Sequence, residues 1–167
     1  MEIKPYTAEQ IDDVVSFEKA LRQEDAYWGW EIDEAYLQKV TQSFQNPRFQ
    51  NSISLLAYMV GKVVGRIDST LVCSHFDGSK AYPDWICVLK SCRHKGIAQE
   101  LMAALRRILK EQYGADTLVG LIASNQEAQR FYRSLDHAPE RCTISKSISE
   151  NSTLALITRS RVIISVP

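Results

Sequence analysis

The sequence predicts an α/β protein in which a mixed sheet carries helices on both faces. Segments with apolar residues at helical spacing alternate with short runs rich in Val, Ile, Leu and Tyr, which are typical of strands. In the middle of the chain, a strand-like run is followed by a basic turn with a glycine and then by a helical pattern, and a second strand and helix come next. This alternation favours a sheet packed between layers of helices.

Two helices are predicted in the first third of the chain. Thr7, followed three residues later by Gln10, forms a capping-box pattern that predicts a helix over 8–23. A second helical pattern begins near residue 35 and is stopped by Asn46-Pro47. The apolar residues of these patterns are Ile11, Val14, Val15, Phe17 and Leu21 in the first and Ala35, Tyr36, Val40 and Phe44 in the second.

Three strands are predicted after the second helix. Residues 54–60 and 62–72 are rich in β-branched and apolar side chains, and they indicate a hairpin that turns at Gly61. Asp77-Gly78 then turns the chain toward a third strand over 82–89. The hairpin supplies an antiparallel part of the predicted sheet.

The next predicted unit is a helix over 97–112, a stop at Gly114, a strand over 117–123 and a helix over 125–135. Near the end of the chain, the apolar run 162–166 is a candidate last strand. An unpaired strand of this kind is an aggregation liability. We therefore expect it to pair within the sheet, to pair with a second copy of the chain in a homodimer, or to be disordered.

Length and charge limit the classes of protein and partner. The chain suits a single domain over residues 1–167, with an atypical C-terminal segment over 138–167. Because 20 Lys and Arg balance 20 Asp and Glu, any binding of phosphate has to be local. The N-terminus lacks the apolar core of a signal peptide, and no run approaches the ~18 apolar residues of a membrane span. We expect a soluble, cytoplasmic protein without a nucleic-acid or membrane partner.

The cysteines do not indicate a metal site. They are Cys73, Cys87, Cys92 and Cys142, with no C-x-x-C pair and no zinc-type spacing to a His. The simplest interpretation is neutral thiols in a reducing cytosol, with Cys92 close to the basic turn. We expect no bound metal.

The basic turn at residues 93–98 combines the features of an anion-binding site. A helix N-terminus presents backbone N–H groups without intrahelical partners and about half a positive charge. Gly96 lets a ligand approach the backbone, and Arg93 and Lys95 add cations. The chain contains neither G-x-x-x-x-G-K-[ST] nor G-x-G-x-x-G, which disfavours a nucleotide triphosphatase or a dinucleotide-binding module. The alternative is a basic surface turn that caps an ordinary helix.

Two linked motifs resemble those of the GNAT superfamily of acyl-CoA-dependent N-acyltransferases. Arg93-x-x-Gly96-x-Ala98 is similar to the family's Q/R-x-x-G-x-G/A turn, which wraps the coenzyme A pyrophosphate. The strand and helix that follow carry Asn125, Ala128, Tyr132 and Leu135 in the family's usual order. The resemblance implies a mostly antiparallel sheet with a parallel, splayed pair formed by strands 4 and 5. It also implies transfer of an acetyl group from acetyl-CoA directly to an amine, without a covalent enzyme intermediate.

The resemblance implies a role for the residues of both motifs. Acetyl-CoA is expected to bind the backbone at the end of the fourth strand, the basic turn and the start of the last helix, which comprise Val88, Leu89, Arg93, His94, Lys95, Gly96, Ile97, Ala98 and Asn125. Tyr132 is expected to protonate the leaving thiolate, since a Tyr with a pKa of about 10 keeps its proton at pH 7. Phe131 is adjacent, so one of the two rings is expected to pack in the core while the other faces the cofactor. Core packing alone is the alternative for Tyr132.

A carboxylate is needed to take the proton of the acceptor ammonium. Asp84 stands four residues before Val88, where the resemblance often places this base, although a residue after Pro83 also suits a strand start. The competing carboxylates, most of which are expected to be solvated surface charges, are Glu24, Asp25, Glu31, Asp33 and Glu34.

The segment after the first helix is a candidate acceptor site. Its aromatic and acidic side chains Tyr27, Trp28, Trp30 and Glu31 suit a cationic acceptor, although a hydrophobic plug between two helices fits the same pattern. The predicted acceptor is the primary amine of a small molecule, such as an aminoglycoside-like or polyamine-like compound. A protein or peptide amine is the nearest alternative, and a catalytically inactive coenzyme A-binding regulatory module is an alternative of another class.

Overall fold

The computed structural model describes residues 1–24, 31–75, 78–115, 117–122, 126–135, 143–145 and 160–165. The helices are α1 (Ile11–Glu24), α2 (Glu34–Ser43), α3 (Ile97–Tyr113) and α4 (Gln126–Ser134). The strands are β1 (Glu2–Pro5), β2 (Ser52–Met59), β3 (Lys62–Ser74), β4 (Gly78–Val88), β5 (Thr117–Ile122), β6 (Thr143–Ser145) and β7 (Ser160–Ser165). Short 3-10 turns lie at Ala8–Gln10, Pro47–Phe49 and Lys90–Cys92. Within these ranges, none of the helices is long and apolar enough to cross a membrane.

The helix ends follow the capping residues of the sequence. Thr7 caps the first helical segment, and its backbone N–H donates to Gln10 Oε1 at 2.9 Å. Helix α3 ends at Gly114, which adopts the left-handed conformation with φ 58°. The four predicted helices are therefore confirmed, with ends within a few residues of the predicted ones.

The strands form one mixed sheet in the order β1-β2-β3-β4-β5-β7-β6. Strands β4 and β5 are parallel, whereas the other neighbours are antiparallel. The parallel pairing is limited to Lys80 opposite Thr117 and Ala81 opposite Leu118, near the start of each strand. Beyond these pairs the two strands part. The predicted fold class, with a splayed pair of strands 4 and 5, is confirmed.

The candidate last strand is confirmed as β7, and it pairs within the sheet. Its register with β5 runs from Thr117 opposite Ser165 to Ile122 opposite Ser160. Strands β1 and β6 are not among the elements predicted from the sequence. Both are too short, at four and three residues, to show a periodic pattern. Asp77 of the predicted turn lies outside the described residues, while Gly78 has φ 72°.

Helices cover both faces of the sheet. On one face, α3 packs on β2, β3, β4 and β5 through Leu55, Ile67, Ala81, Leu101, Leu105 and Leu118. On the other face, α1 packs on β2 and β3 through Val14, Phe17, Leu21, Leu56 and Val63. Gly65 lets the start of α3 approach the sheet, because a Cβ there would lie 3.1 Å from a side-chain carbon of Ile97. This close packing sets the N-terminus of α3 beside the end of β4.

The turn between β2 and β3 holds Val60 in a strained backbone conformation that another residue would tolerate better. Val60 and Gly61 both have positive φ, at 49° and 72°, as in a two-residue type I′ hairpin, yet Val60 is β-branched and 98% exposed. Val60→Asn is expected to raise the free energy of unfolding by about 1 kcal/mol, since Asn tolerates this conformation. Urea unfolding monitored by circular dichroism measures the change. Val72→Asn, at an exposed position in extended β3, is the control, and equal or lower stability in Val60→Asn would contradict the assignment of strain.

Candidate active site

A cleft of about 530 Å³ opens where β4 and β5 part. Its walls come from the end of β4, the loop after it, the start of α3 and α4. The predicted residues that line it are Val88, Arg93, His94, Gly96, Ile97, Ala98 and Tyr132. The cleft is also lined by residues that the motifs did not assign to the cofactor, which are Ile86, Cys87, Cys92, Gln99, Arg130, Phe131 and Ser134. Most of the predicted cofactor residues therefore surround one cleft.

Another depression, of about 390 Å³, lies beside the β2–β3 turn and is a weaker candidate for an anion site. Its lining includes Glu2 and Lys4, whose side chains pair with each other at 3.1 Å. The cation in this depression is therefore neutralised by its neighbour.

The basic turn at residues 93–98, between β4 and α3, has the backbone geometry of an anion-binding site and is called the cradle below. After the 3-10 turn Lys90–Cys92, His94 and Gly96 adopt left-handed φ values of 61° and 79°. The first intrahelical bond of α3 runs from Glu100 N–H to the Gly96 carbonyl at 3.0 Å, so the preceding N–H groups of the helix have no carbonyl acceptor within it. Those groups belong to residues that line the cleft. A Cβ on Gly96 would meet no described atom within 4 Å, so the backbone there is open to a ligand.

The cations around this loop differ in placement. Arg93 lines the cleft, and its Nε donates to the Val88 carbonyl at 3.2 Å, which folds the side chain over the end of β4. Arg130 enters from α4 and adds a second guanidinium that the sequence motifs did not assign. Lys95 is exposed, does not line the cleft, and donates from Nζ to the Ser91 carbonyl at 3.3 Å. The cleft therefore has arginines on two of its walls.

The end of β4 offers one backbone donor rather than two. The N–H of Leu89 donates to the Val64 carbonyl of β3 at 2.9 Å, so it is occupied, and Leu89 does not line the cleft. Successive N–H groups of a strand point to opposite edges. The N–H of Val88 therefore points away from β3, toward the gap between β4 and β5. This places Val88, rather than Leu89, to bind an oxygen in the cleft.

Tyr132 lies in the wall of the cleft that α4 contributes. It is half-buried, and burial raises the pKa of its phenol, which therefore remains protonated at neutral pH. Phe131 packs against it, with ring centroids 5.1 Å apart. Both rings line the cleft and both contact the core on the α3 face, so they do not divide these roles as expected. Asn125, at the start of the predicted helix, lies outside the described residues.

Asp84 lies on the other face of the sheet from α3, at a β-bulge. Asp68 is opposite Trp85 and Ser69 is opposite Pro83, so Asp84 has no partner residue on β3. Its carboxylate is exposed and accepts a hydrogen bond from Thr70 Oγ1 at 2.6 Å. Thr70 belongs to the β3 residues that face α1. Asp84 does not line the cleft, and its side chain lies on the α1 face of the sheet.

The competing carboxylates have separate surroundings. Glu24 accepts hydrogen bonds from Ser91, and Asp33 caps α2 by accepting from the Tyr36 N–H at 2.7 Å. Glu34 is in the first turn of α2, and both Glu34 and Glu31 are exposed. The remaining candidates of this segment, which are Asp25, Tyr27, Trp28 and Trp30, lie outside the described residues.

A buried ionic cluster on the α1 face was not predicted. Glu18 is 5% exposed and accepts hydrogen bonds from Tyr36 Oη at 2.6 Å and Arg66 Nη1 at 3.2 Å. The Arg66 guanidinium also pairs with Asp68 at 2.9 Å and lies over the Trp85 ring at 5.4 Å. The sequence does offer one indication of a buried charge here: Glu18 stands four residues after Val14, on the apolar face of α1. Arg66 therefore connects the cluster to Trp85, the neighbour of Asp84 on β4.

The ionisable groups around the cluster respond to its burial. Burial, opposed by the nearby Arg66, raises the pKa of Tyr6 to about 12, and burial together with the hydrogen bond to Glu18 raises the pKa of Tyr36. Both phenols therefore stay neutral at physiological pH. Among the described residues, no group of three or more His, Cys, Asp or Glu could hold a metal ion.

Known structures share this fold. The chain is 23% identical to smu.2055 from Streptococcus mutans UA159, with a TM-score of 0.63 and coverage of 99% of this chain and 98% of that one. It is 14% identical to the paia N-acetyltransferase from Thermoplasma acidophilum, solved with coenzyme A, with a TM-score of 0.69 and 98% of each chain covered.

A third similar structure is the aminoglycoside acetyltransferase meta-AAC0020 from an uncultured soil metagenomic sample, solved with trehalose. It is 15% identical, with a TM-score of 0.69, and the match covers 90% of this chain and 96% of that one. No curated protein matches the chain. Residues 8–136 match the acetyltransferase (GNAT) family, a range that includes the cradle and Tyr132. The chain therefore belongs to the acetyltransferase (GNAT) family.

Proposed function

We propose that this protein transfers an acetyl group from acetyl-CoA directly to the primary amine of a small molecule. The observation that carries the proposal is the cleft at the splay of β4 and β5, which has an anion cradle at the start of α3 and the Tyr132 phenol in its wall. Such a cleft suits a long ligand with a diphosphate at one end and a reactive group at the other. The family membership supports the same donor.

The residues of the cleft fit coenzyme A. The N–H groups at the start of α3, the open backbone at Gly96 and the guanidinium of Arg93 bind the diphosphate, and Arg130 adds charge from the opposite wall. The gap between β4 and β5 admits the pantetheine arm. Bound acetyl-CoA supplies the thioester that the amine attacks.

Two groups of the chain act on the reacting atoms. The Val88 N–H donates to the thioester oxygen as negative charge develops there. The Tyr132 hydroxyl donates its proton to the departing sulfur, and its raised pKa keeps it protonated until that step. Both groups border the same cleft, so a single bound ligand can contact both.

Asp84 serves the acceptor from the α1 face. A Lys-like ammonium has a pKa near ~10.4, so its neutral form costs roughly 4–5 kcal/mol at pH 7. The exposed carboxylate of Asp84, oriented by Thr70, takes this proton directly or through water. In this arrangement the acceptor reaches the gap between β4 and β5 from the α1 face, while the cofactor enters from the face that carries α3 and α4.

We infer the acceptor class from acidic and aromatic residues of the sequence. Asp84 and Trp85 are neighbours on β4, and the acidic and aromatic segment 24–34 connects α1 to α2 in the sequence. Three of the similar structures, of two different proteins, are named as aminoglycoside acetyltransferases, which supports a cationic small molecule. Another is named as a ribosomal-protein-alanine N-acetyltransferase, so a protein or peptide amine is the second candidate. Thiol release measured with polyamines, aminoglycosides and short peptides separates the two.

Asp84→Asn is expected to lower kcat/KM for the best amine about 100-fold at pH 7. Because the amine deprotonates by itself as the pH rises, the deficit should shrink toward pH 10. Glu34→Gln makes the same charge change in the first turn of α2 and should keep the wild-type rate. A loss in Glu34→Gln with no loss in Asp84→Asn would contradict the assignment of the base. Absence of thiol release with every amine, despite cofactor binding, would favour a regulatory module.

A further inference from the structure

The last residue of α1 holds the loop that precedes the cradle. Glu24 Oε1 accepts a hydrogen bond from Ser91 Oγ at 2.6 Å, and Glu24 Oε2 accepts one from the Ser91 backbone N–H at 3.3 Å. The two residues are 67 positions apart in sequence, so this contact joins separate parts of the fold. These hydrogen bonds, with that of Ser91 Oγ foremost, lower the pKa of Glu24, which therefore remains a carboxylate at physiological pH.

Ser91 occupies the centre of the turn that leads into the cradle. It is the middle residue of the 3-10 turn Lys90–Cys92, whose ends are closed by Cys92 N–H to Leu89 O at 2.8 Å and Arg93 N–H to Lys90 O at 3.3 Å. Its carbonyl accepts the Lys95 ammonium at 3.3 Å. The N–H, hydroxyl and carbonyl of Ser91 are thus all engaged, and the direction of the next residues depends on them.

We propose that Glu24 is a positioning residue for the cofactor cradle, which it holds through Ser91 in the geometry that binds a diphosphate. Glu24 is assigned this role through Ser91 and not through contact with cofactor or acceptor. The inference rests on the proposed function, since it assigns the cradle to coenzyme A. It adds a residue of α1 to a site that the motifs confine to the β4–α3 loop and α4.

The backbone conformation of the cradle explains why the loop needs to be restrained by the contact between Glu24 and Ser91. His94 is a non-glycine residue with φ 61°, and Gly96 has φ 79°, two conformations that a free loop does not favour together. A loop that is ordered before the ligand arrives loses less entropy on binding and therefore binds more tightly. Fixing the turn at Ser91 restrains the loop on the side of β4, while α3 restrains it on the other side.

Charge repulsion alone predicts that removing Glu24 strengthens the binding of coenzyme A, whereas a positioning role predicts that it weakens binding. The affinity of a Glu24 variant therefore distinguishes the two. A carboxylate near the cradle repels an anionic ligand, so its removal alone should tighten the binding of coenzyme A. If Glu24 positions the loop, its removal should instead weaken binding. Glu100, an exposed residue in the first turn of α3, provides the matched charge change, because its only bond to the described residues of the loop is made by its backbone N–H, which Glu100→Ala retains.

The experiment is calorimetric titration of coenzyme A into the wild-type protein and four variants, at one ionic strength. Glu24→Ala and Ser91→Ala are expected to raise Kd roughly 3- to 10-fold. Ser91→Thr keeps the hydroxyl and should stay within about twofold of wild type. Glu100→Ala should bind as tightly as wild type or more tightly. Thermal unfolding of each variant establishes that the fold is intact.

The outcomes separate this inference from the proposed function. Wild-type protein that does not bind coenzyme A would overturn the proposed function, and the role of Glu24 with it. Wild-type binding with a Glu24→Ala variant that binds as tightly as Glu100→Ala would overturn the positioning role alone. A Ser91→Thr variant as weak as Ser91→Ala would likewise overturn it, because the hydroxyl would then not carry the effect.

Discussion

Replacing Gly96 by glutamate is expected to raise the Kd for coenzyme A at least ~100-fold, equivalent to about 2.7 kcal/mol. The backbone at Gly96 is open to the cleft, so the new side chain extends into space that the ligand would fill. A carboxylate about 4 Å from a phosphate charge costs roughly 4 kcal/mol near a protein surface. Steric overlap adds to this cost. Isothermal titration calorimetry measures the loss directly.

Gly96→Ala is the control for backbone strain. Gly96 has φ 79°, so any side chain there costs about 1–2 kcal/mol of folding stability, and both variants should show this loss in urea unfolding. The alanine variant adds no charge and should retain most of the affinity. Coenzyme A binding by Gly96→Glu at wild-type affinity would place the diphosphate elsewhere. An equal loss in both variants would attribute the effect to the loop conformation.

Replacing Tyr132 by phenylalanine is expected to lower the rate of acetyl transfer at least ~10-fold while the Kd for coenzyme A stays within about twofold. The phenol borders the cleft, and its raised pKa keeps the proton that the departing sulfur needs. Removing one oxygen leaves the ring in place, so packing is preserved. Thiol release at saturating acetyl-CoA, compared with calorimetric binding, separates chemistry from affinity.

Tyr113→Phe is the matched control, since Tyr113 is 42% exposed at the end of α3 and does not line the cleft. This variant should transfer acetyl groups at the wild-type rate. An unchanged rate in Tyr132→Phe would exclude the proton-donor role. A Kd that rises as much as the rate falls would instead assign Tyr132 to binding.

The parts of the fold that follow local rules could be predicted from the sequence. The capping residues at Thr7 and Gly114 and the basic turn at residues 93–98 each mark a boundary through short-range chemistry, and the helices end near them. Most residues of this turn line the cleft, and their grouping at one site could be predicted because they are contiguous in the chain. Strand β1 could not be predicted, since four mostly exposed residues carry no periodic signal.

The features that depend on pairing between distant elements could not be predicted from the motifs. The N–H of Leu89 is occupied because β3 supplies the Val64 carbonyl, which only the sheet register reveals. The ion pair of Glu18 with Arg66 joins α1 to β3 across 48 positions. The contact between Glu24 and Ser91 has the same origin. In each case, the partner is chosen by topology and not by spacing along the chain.

Calorimetric titration of the wild-type protein with acetyl-CoA tests the central claim most directly. We expect binding at one site per chain, weaker at higher ionic strength because charged groups hold the diphosphate. We also expect coenzyme A to compete for this site. Absence of binding with ligand at about millimolar concentration, in a protein shown to be folded, would contradict the assignment of the cleft and the acetyl-transfer function built on it.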